Sequence, residues 1–169
     1  MRFTDFLRTS VLLFAGAATA LAAVAIAGAS AQDDNTLLYV AVTWWAIAAA
    51  AGLWMGRRFE TTEGIGRLMA NARHSPTLPE QEPGRTIVNR LWPLLIVLAA
   101  AAGIAFLIPQ VPAIGAGYAI LVALAWRKQS RAVSAIEDRD GVRFHVDKSS
   151  PFGPPKLVRT PWARKVEPV

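Results

Sequence analysis

The sequence predicts an all-α membrane protein, a four-helix transmembrane bundle built as two helical hairpins, with a short cytoplasmic tail containing a candidate β-hairpin. Three observations predict it. Long stretches of the chain carry no charge, and the longest is interrupted by two prolines. The basic residues all fall in the three segments that this topology puts on one side of a membrane. Tryptophans mark the matching helix ends.

Twenty-four uncharged residues separate Arg8 from Asp33, twenty-two separate Asp34 from Arg57, and thirty-six separate Arg90 from Arg127. About 20 apolar residues cross a hydrocarbon core, so the first two runs are one span each, 9–30 and 36–56. As one helix the third would be about 54 Å long, too long for one crossing. Pro109 and Pro112 interrupt it, because proline lacks an N–H and its ring collides with the preceding turn. Spans over 91–108 and 112–126 follow. The last is short, and Arg127 and Lys128 lengthen it by snorkelling. The alternative is a re-entrant hairpin, which also returns the chain to the side it left. Ala29-Ser30-Ala31 before Gln32 resembles a signal cleavage site, but the uncharged stretch exceeds the roughly 7–15 residues of a signal core. The first segment is therefore expected to stay as a helix.

Orientation follows from the basic residues. With residues 1–8, the 57–90 loop and the 127–169 tail in the cytoplasm, those segments hold all eighteen Lys and Arg. The two outer connections hold none. This asymmetry accounts for the net charge of +6 and the pI of about 10.5 without nucleic acid. Trp54, Trp92 and Trp126 fall at the cytoplasmic helix ends, where an indole places its ring in the apolar edge and its N–H near water.

Composition removes several chemistries. With no cysteine there is no disulfide, thiolate zinc site or thiol redox centre. His74 and His145 lie outside the apolar runs, which excludes a haem held by paired histidines within the bilayer. No ionisable residue lies within a predicted span, and such groups usually mark ion paths and proton relays. Thr19, Thr43 and Tyr118 are the only plausible pore-lining groups. No nucleophile–base pair, metal cluster or phosphate-binding glycine loop is present, so neither catalytic residues nor a cofactor are expected.

Small residues recur at four-residue spacing: Gly16 and Ala20, Gly52 and Gly56 behind Ala48, Ala99 and Gly103, Ala113 and Gly117. Such pairs let helix backbones approach closely. Gly52, Gly56, Gly103 and Gly117 are the candidate helix-packing positions, within the bundle or at a homo-oligomer seam.

In the 57–90 loop, Ile65, Leu68, Met69 and Ala72 line one face of a short amphipathic helix. Arg57 and Arg58 before it, and Arg127, Lys128 and Arg131 after the last span, are suited to anionic lipid. In the tail, Asp138-Arg139-Asp140-Gly141 has turn chemistry. Val142, Phe144 and Val146 alternate with polar residues as in a half-buried strand, for which Ala135–Glu137 is a candidate partner. Phe144, Phe152 and Trp162 should bury against something: the chain itself, the membrane, a second copy or a partner protein.

The stretches Glu137–Val146 and Ser150–Trp162, behind four spans, resemble the tails of small uncharacterised polytopic integral membrane proteins of high-GC bacteria. That resemblance covers about a fifth of the chain and implies no activity. The expected function is that of a non-enzymatic accessory or adaptor subunit in the bacterial inner membrane. It would present a basic cytoplasmic face to a partner protein or to anionic lipid. The alternative is a small oligomeric channel, permease or holin-like pore.

Overall fold

The computed structural model describes residues 1–32, 35–58, 69, 72–74, 83–105, 107–108, 110–146 and 157–161. The chain is mostly helical. Its elements are α1 (Phe3–Ala31), α2 (Asn35–Arg58), β1 (Arg73–His74), α3 (Pro83–Ile104), α4 (Gln110–Trp126), α5 (Gln129–Asp140), β2 (Val142–Val146) and β3 (Leu157–Pro161). Among the described residues, two helices, α1 and α2, are long and apolar enough to cross a membrane, and Leu95–Ile104 is a shorter apolar helix.

The centre of the bundle is α4. It lies against both α1 and α2, which scarcely touch one another. Its composition explains this. Ala113, Ala116, Gly117, Ala119, Ala123 and Ala125 are all buried, and side chains this small let two helices close in from opposite sides. On α2, Gly52 and Gly56 complete the fit. A Cβ on Gly52 would lie 2.7 Å from the Leu121 carbonyl oxygen, and one on Gly56 would lie 2.8 Å from that of Leu124.

α3 begins at Pro83, where a missing N–H costs nothing because the first helical turn has no intrahelical acceptor. Residues 83–90, expected in the loop, are therefore helical. The break before α4 also falls earlier than the prolines alone imply. Leu107 and Ile108 both donate their N–H to the Ile104 carbonyl, at 2.9 Å, as the chain turns. Pro112 then sits inside the first turn of α4, which it can enter for the same reason as Pro83.

The tail departs from the predicted hairpin. Ala135–Glu137 belong to α5, not to a strand. Gly141 ends that helix in the left-handed region, with φ of 63°, and returns its N–H to the Glu137 carbonyl. Glycine takes this conformation without a Cβ penalty. The partner of β2 is β3, antiparallel, with Val142 opposite Pro161 and Val146 opposite Leu157. β1 adds in parallel on the far side of β3, giving the order β1-β3-β2. Met1 and Arg2 cover the outer edge of β2: Arg2 bridges to His145, and the Val146 N–H donates to the Met1 carbonyl at 3.1 Å.

One hydrophobic core joins these pieces at one end of the bundle. Phe3, Phe6 and Leu7 of α1 meet Val133 of α5, Val142, Phe144 and Val146 of β2, Leu157 of β3, and Met69. Burying each large apolar side chain contributes about 1.5–3 kcal/mol. The first turns of α1 are thus part of a packed subdomain.

Candidate functional site

The basic end of the bundle is the candidate site, and the small sheet subdomain organises it. Glu137 lies at its centre with 0% exposure. Its Oε1 accepts the Phe144 N–H at 2.9 Å, and its Oε2 accepts from Arg143 Nη1 at 3.3 Å. Where Met1 and Arg2 leave the edge of β2 to enter α1, this carboxylate continues the ladder in place of a strand. A buried carboxylate is tolerated only when paired and hydrogen-bonded, and this one is both. From the sequence Glu137 is a candidate strand residue; in the structure it lies on α5 with its carboxylate buried. An acidic residue on the apolar side of an otherwise amphipathic helix was the available signal.

His145 is half-buried, with Nδ1 3.3 Å from Thr160 Oγ1. Burial holds its imidazole pKa below the usual value, helped by the positive N-terminus and Arg2, while Glu137 opposes them. The unfolded chain therefore binds the proton more readily than the folded one. His145-linked stability is complete above the unfolded value of about 6.5 and is lost as pH falls from there through the folded pKa. The melting temperature of the purified protein should drop as pH is lowered through about 6.5, and His145→Gln should flatten that drop. An equal drop in the variant would assign the effect to another group. By contrast, Arg139 and Asp140 form an exposed pair at 2.8 Å that holds the Asp140 carboxyl below its usual range; such surface pairs contribute little to stability.

The nominated lipid-binding residues lie at the same end. Arg57, Arg127 and Arg131 are exposed and Lys128 is half-buried. Gly56 rests on Leu124 and Ala125, so Arg57 and Arg127 follow from adjacent turns of two packed helices. The Arg58 side chain lies outside the described residues. Of the interface tryptophans, Trp54 and Trp92 are 57% and 41% exposed. Trp126 instead turns inward, edge-on to Phe14 at 6.2 Å and against the subdomain core.

Of the packing glycines, Gly52, Gly56 and Gly117 lie where α2 meets α4. Gly103 faces outward with nothing within 4 Å, because α3 lies at the bundle's periphery. Two tryptophans in the middle of α2 hold it to α4. Trp44 Nε1 donates to the Ile114 carbonyl at 3.3 Å, and Trp45 Nε1 donates to that of Ala113 at 2.8 Å. The Trp44 ring lies over Gly117 and meets Tyr118 edge-on at 5.5 Å. Thr19 and Thr43 spend their hydroxyls on carbonyls one turn back in their own helices, and both face outward.

Phe144, a candidate partner-binding residue for which the chain itself was also an open covering surface, is packed inside the chain's own core, covered by the first turns of α1. Phe152, Trp162 and most of the 65–72 amphipathic segment lie outside the described residues; Met69 from that segment is in the core. Among the described residues, no three His, Asp or Glu side chains are grouped as a metal site requires.

No protein family, curated protein or solved structure matches this chain. Functional argument therefore rests on the site alone.

Proposed function

We propose that this chain is a four-pass protein of the bacterial inner membrane with both termini in the cytoplasm, acting without catalysis as an accessory or adaptor subunit. Its basic cytoplasmic face would engage a partner protein or anionic lipid. The observation that carries this reading is the composition of the sheet. Residues before α1, between α2 and α3, and after α4 meet in it. Each helical hairpin must then leave and return to the same end, and among the described residues Arg57, Arg127, Arg131 and Arg143 lie there. Gly52 and Gly56, candidates for a homo-oligomer seam, face α4 within the chain.

The chain lacks cysteine, so a single introduced thiol is an unambiguous reporter of side. In intact spheroplasts, a membrane-impermeant maleimide should label Gln32→Cys and Gln110→Cys but not Gly141→Cys. Protection of Gln110→Cys would sink the four-pass topology in favour of a re-entrant second hairpin. For the basic face, reversing Arg57, Arg127 and Arg131 to Glu should lower the preference for phosphatidylglycerol over phosphatidylcholine vesicles by about 1 kcal/mol per charge at low salt. An unchanged preference would leave only the partner-protein form of the proposal.

The first helix is retained in this reading. Cleavage after Ala31 would remove Phe3, Phe6 and Leu7 from the subdomain core, and Leu21 and Ala25 from the bundle. Intact-mass measurement of the protein from membranes should show a chain that still carries residues 1–31. A mature N-terminus at Gln32 would overturn both the retention and the core.

A further inference from the structure

Between α1 and α3 an apolar cavity of about 340 Å³ opens sideways, lined by Leu12, Leu13, Gly16 and Ala20 on one wall and by Leu91 and Leu95 on the other. We infer that this groove holds one acyl chain of a membrane phospholipid whose phosphate is bound by Arg8. The inference rests on the membrane reading above.

The chemistry of the walls favours a hydrocarbon chain. From Leu12 to Ala20 the groove runs eight residues, about 12 Å, and every side chain lining it is apolar. The protein leaves it unfilled at Gly16, where an added Cβ would meet nothing within 4 Å. The lining carries no ionisable group, so a methylene chain leaves no polar partner stranded there.

Polarity fixes the direction in which the lipid enters. Leu91 is buried at one end of the groove, and the exposed Trp92 follows it on α3. An indole marks the depth where acyl chain gives way to headgroup. On the facing wall the exposed Arg8 lies one turn before Leu12, which places a guanidinium at the mouth on the same side of α1. Asp5, also exposed, is nearly a further turn away, towards solvent. A phosphate at this level would meet Arg8 first, and guanidinium is well matched to it.

The test uses the full chain in nanodiscs of phosphatidylglycerol and phosphatidylcholine containing a trace of phosphatidylcholine with a mid-chain diazirine. After photolysis, adducts on peptides spanning 12–20 and 91–98 should exceed those on the exposed α2 positions Ile47 and Leu53 by about fivefold to tenfold. Gly16→Leu, and independently Ala20→Leu, should remove that excess without changing α2 labelling. Arg8→Gln should reduce the excess by about threefold. Equal labelling of groove and α2 would overturn the inference and leave the membrane reading standing. A protein–protein adduct in place of lipid would likewise overturn it, in favour of a second copy. Absence of label on α2 would defeat the membrane reading itself and the inference with it.

Discussion

Replacing Gly117 with leucine should separate α2 from α4, lowering stability by about 3 kcal/mol or more. The side chain would have to occupy the space of the Trp44 indole. Displacing that ring also breaks its bond to the Ile114 carbonyl and its contact with Tyr118. Intrinsic helix propensity pulls the other way, since removing a glycine from a helix interior gains about 1 kcal/mol. The overpacking term is larger, so the net sign is destabilising. Gly103→Leu is the matched control. It gains the same propensity and meets nothing within 4 Å, so its effect should stay within about 0.5 kcal/mol after the propensity gain is allowed for. Melting temperatures of the two variants in one detergent, with Trp emission as a second probe, decide the matter. Should both melt alike, the close approach of α2 and α4 is not what holds the bundle.

Replacing Glu137 with alanine should cost about 3–5 kcal/mol, the range for removing one member of a buried ion pair. Two partners lose their acceptor together. The Phe144 N–H is left buried and unpaired, a loss of about 1–3 kcal/mol by itself. The Arg143 guanidinium is left without its carboxylate, although at 19% side-chain exposure it can recover some solvation. Glu137→Gln keeps an acceptor for the Phe144 N–H and should cost about half as much. Hydrogen exchange at the Phe144 amide reads the effect directly. Fast exchange there in the alanine variant, with helix amides of α4 unchanged, is the expected pattern. Unchanged protection would mean that the carboxylate does not serve as the missing strand partner.

The Gly117 contact joins residues far apart in sequence, and the Glu137 bonds cross a chain reversal; neither leaves a periodic trace. Local features were legible because they depend on periodicity. The alternation of Val142, Phe144 and Val146 implies a strand with one buried face, and those three side chains are the buried ones. Gly141 after Asp138-Arg139-Asp140 marks a chain reversal, and the αL cap lies there. Two prolines in a long apolar run imply a break. The choice of strand partner was not legible. Ala135–Glu137 and Leu157–Pro161 are both short and partly apolar, and pairing across ten intervening residues leaves no local trace. Phe144 shows the same limit from the other side. Its burial was foreseeable, but which surface covers it depends on α1 returning to the same end as the tail.

The sequence by itself determined which segments are apolar enough to form long helices, the confinement of the basic residues to three segments outside the apolar runs, and the exclusion of thiol chemistry. Each depends on residue type and spacing alone, so no distant contact can alter it. Only the tertiary structure decided that α4, the shortest of the expected spans, is the centre of the bundle, because centrality follows from how closely α1 and α2 approach its alanines and glycines. It also decided that the N-terminal turns, a central segment and the tail share one core. Hydrophobic burial is non-directional, so the identity of the covering surface is set by which elements the chain brings together.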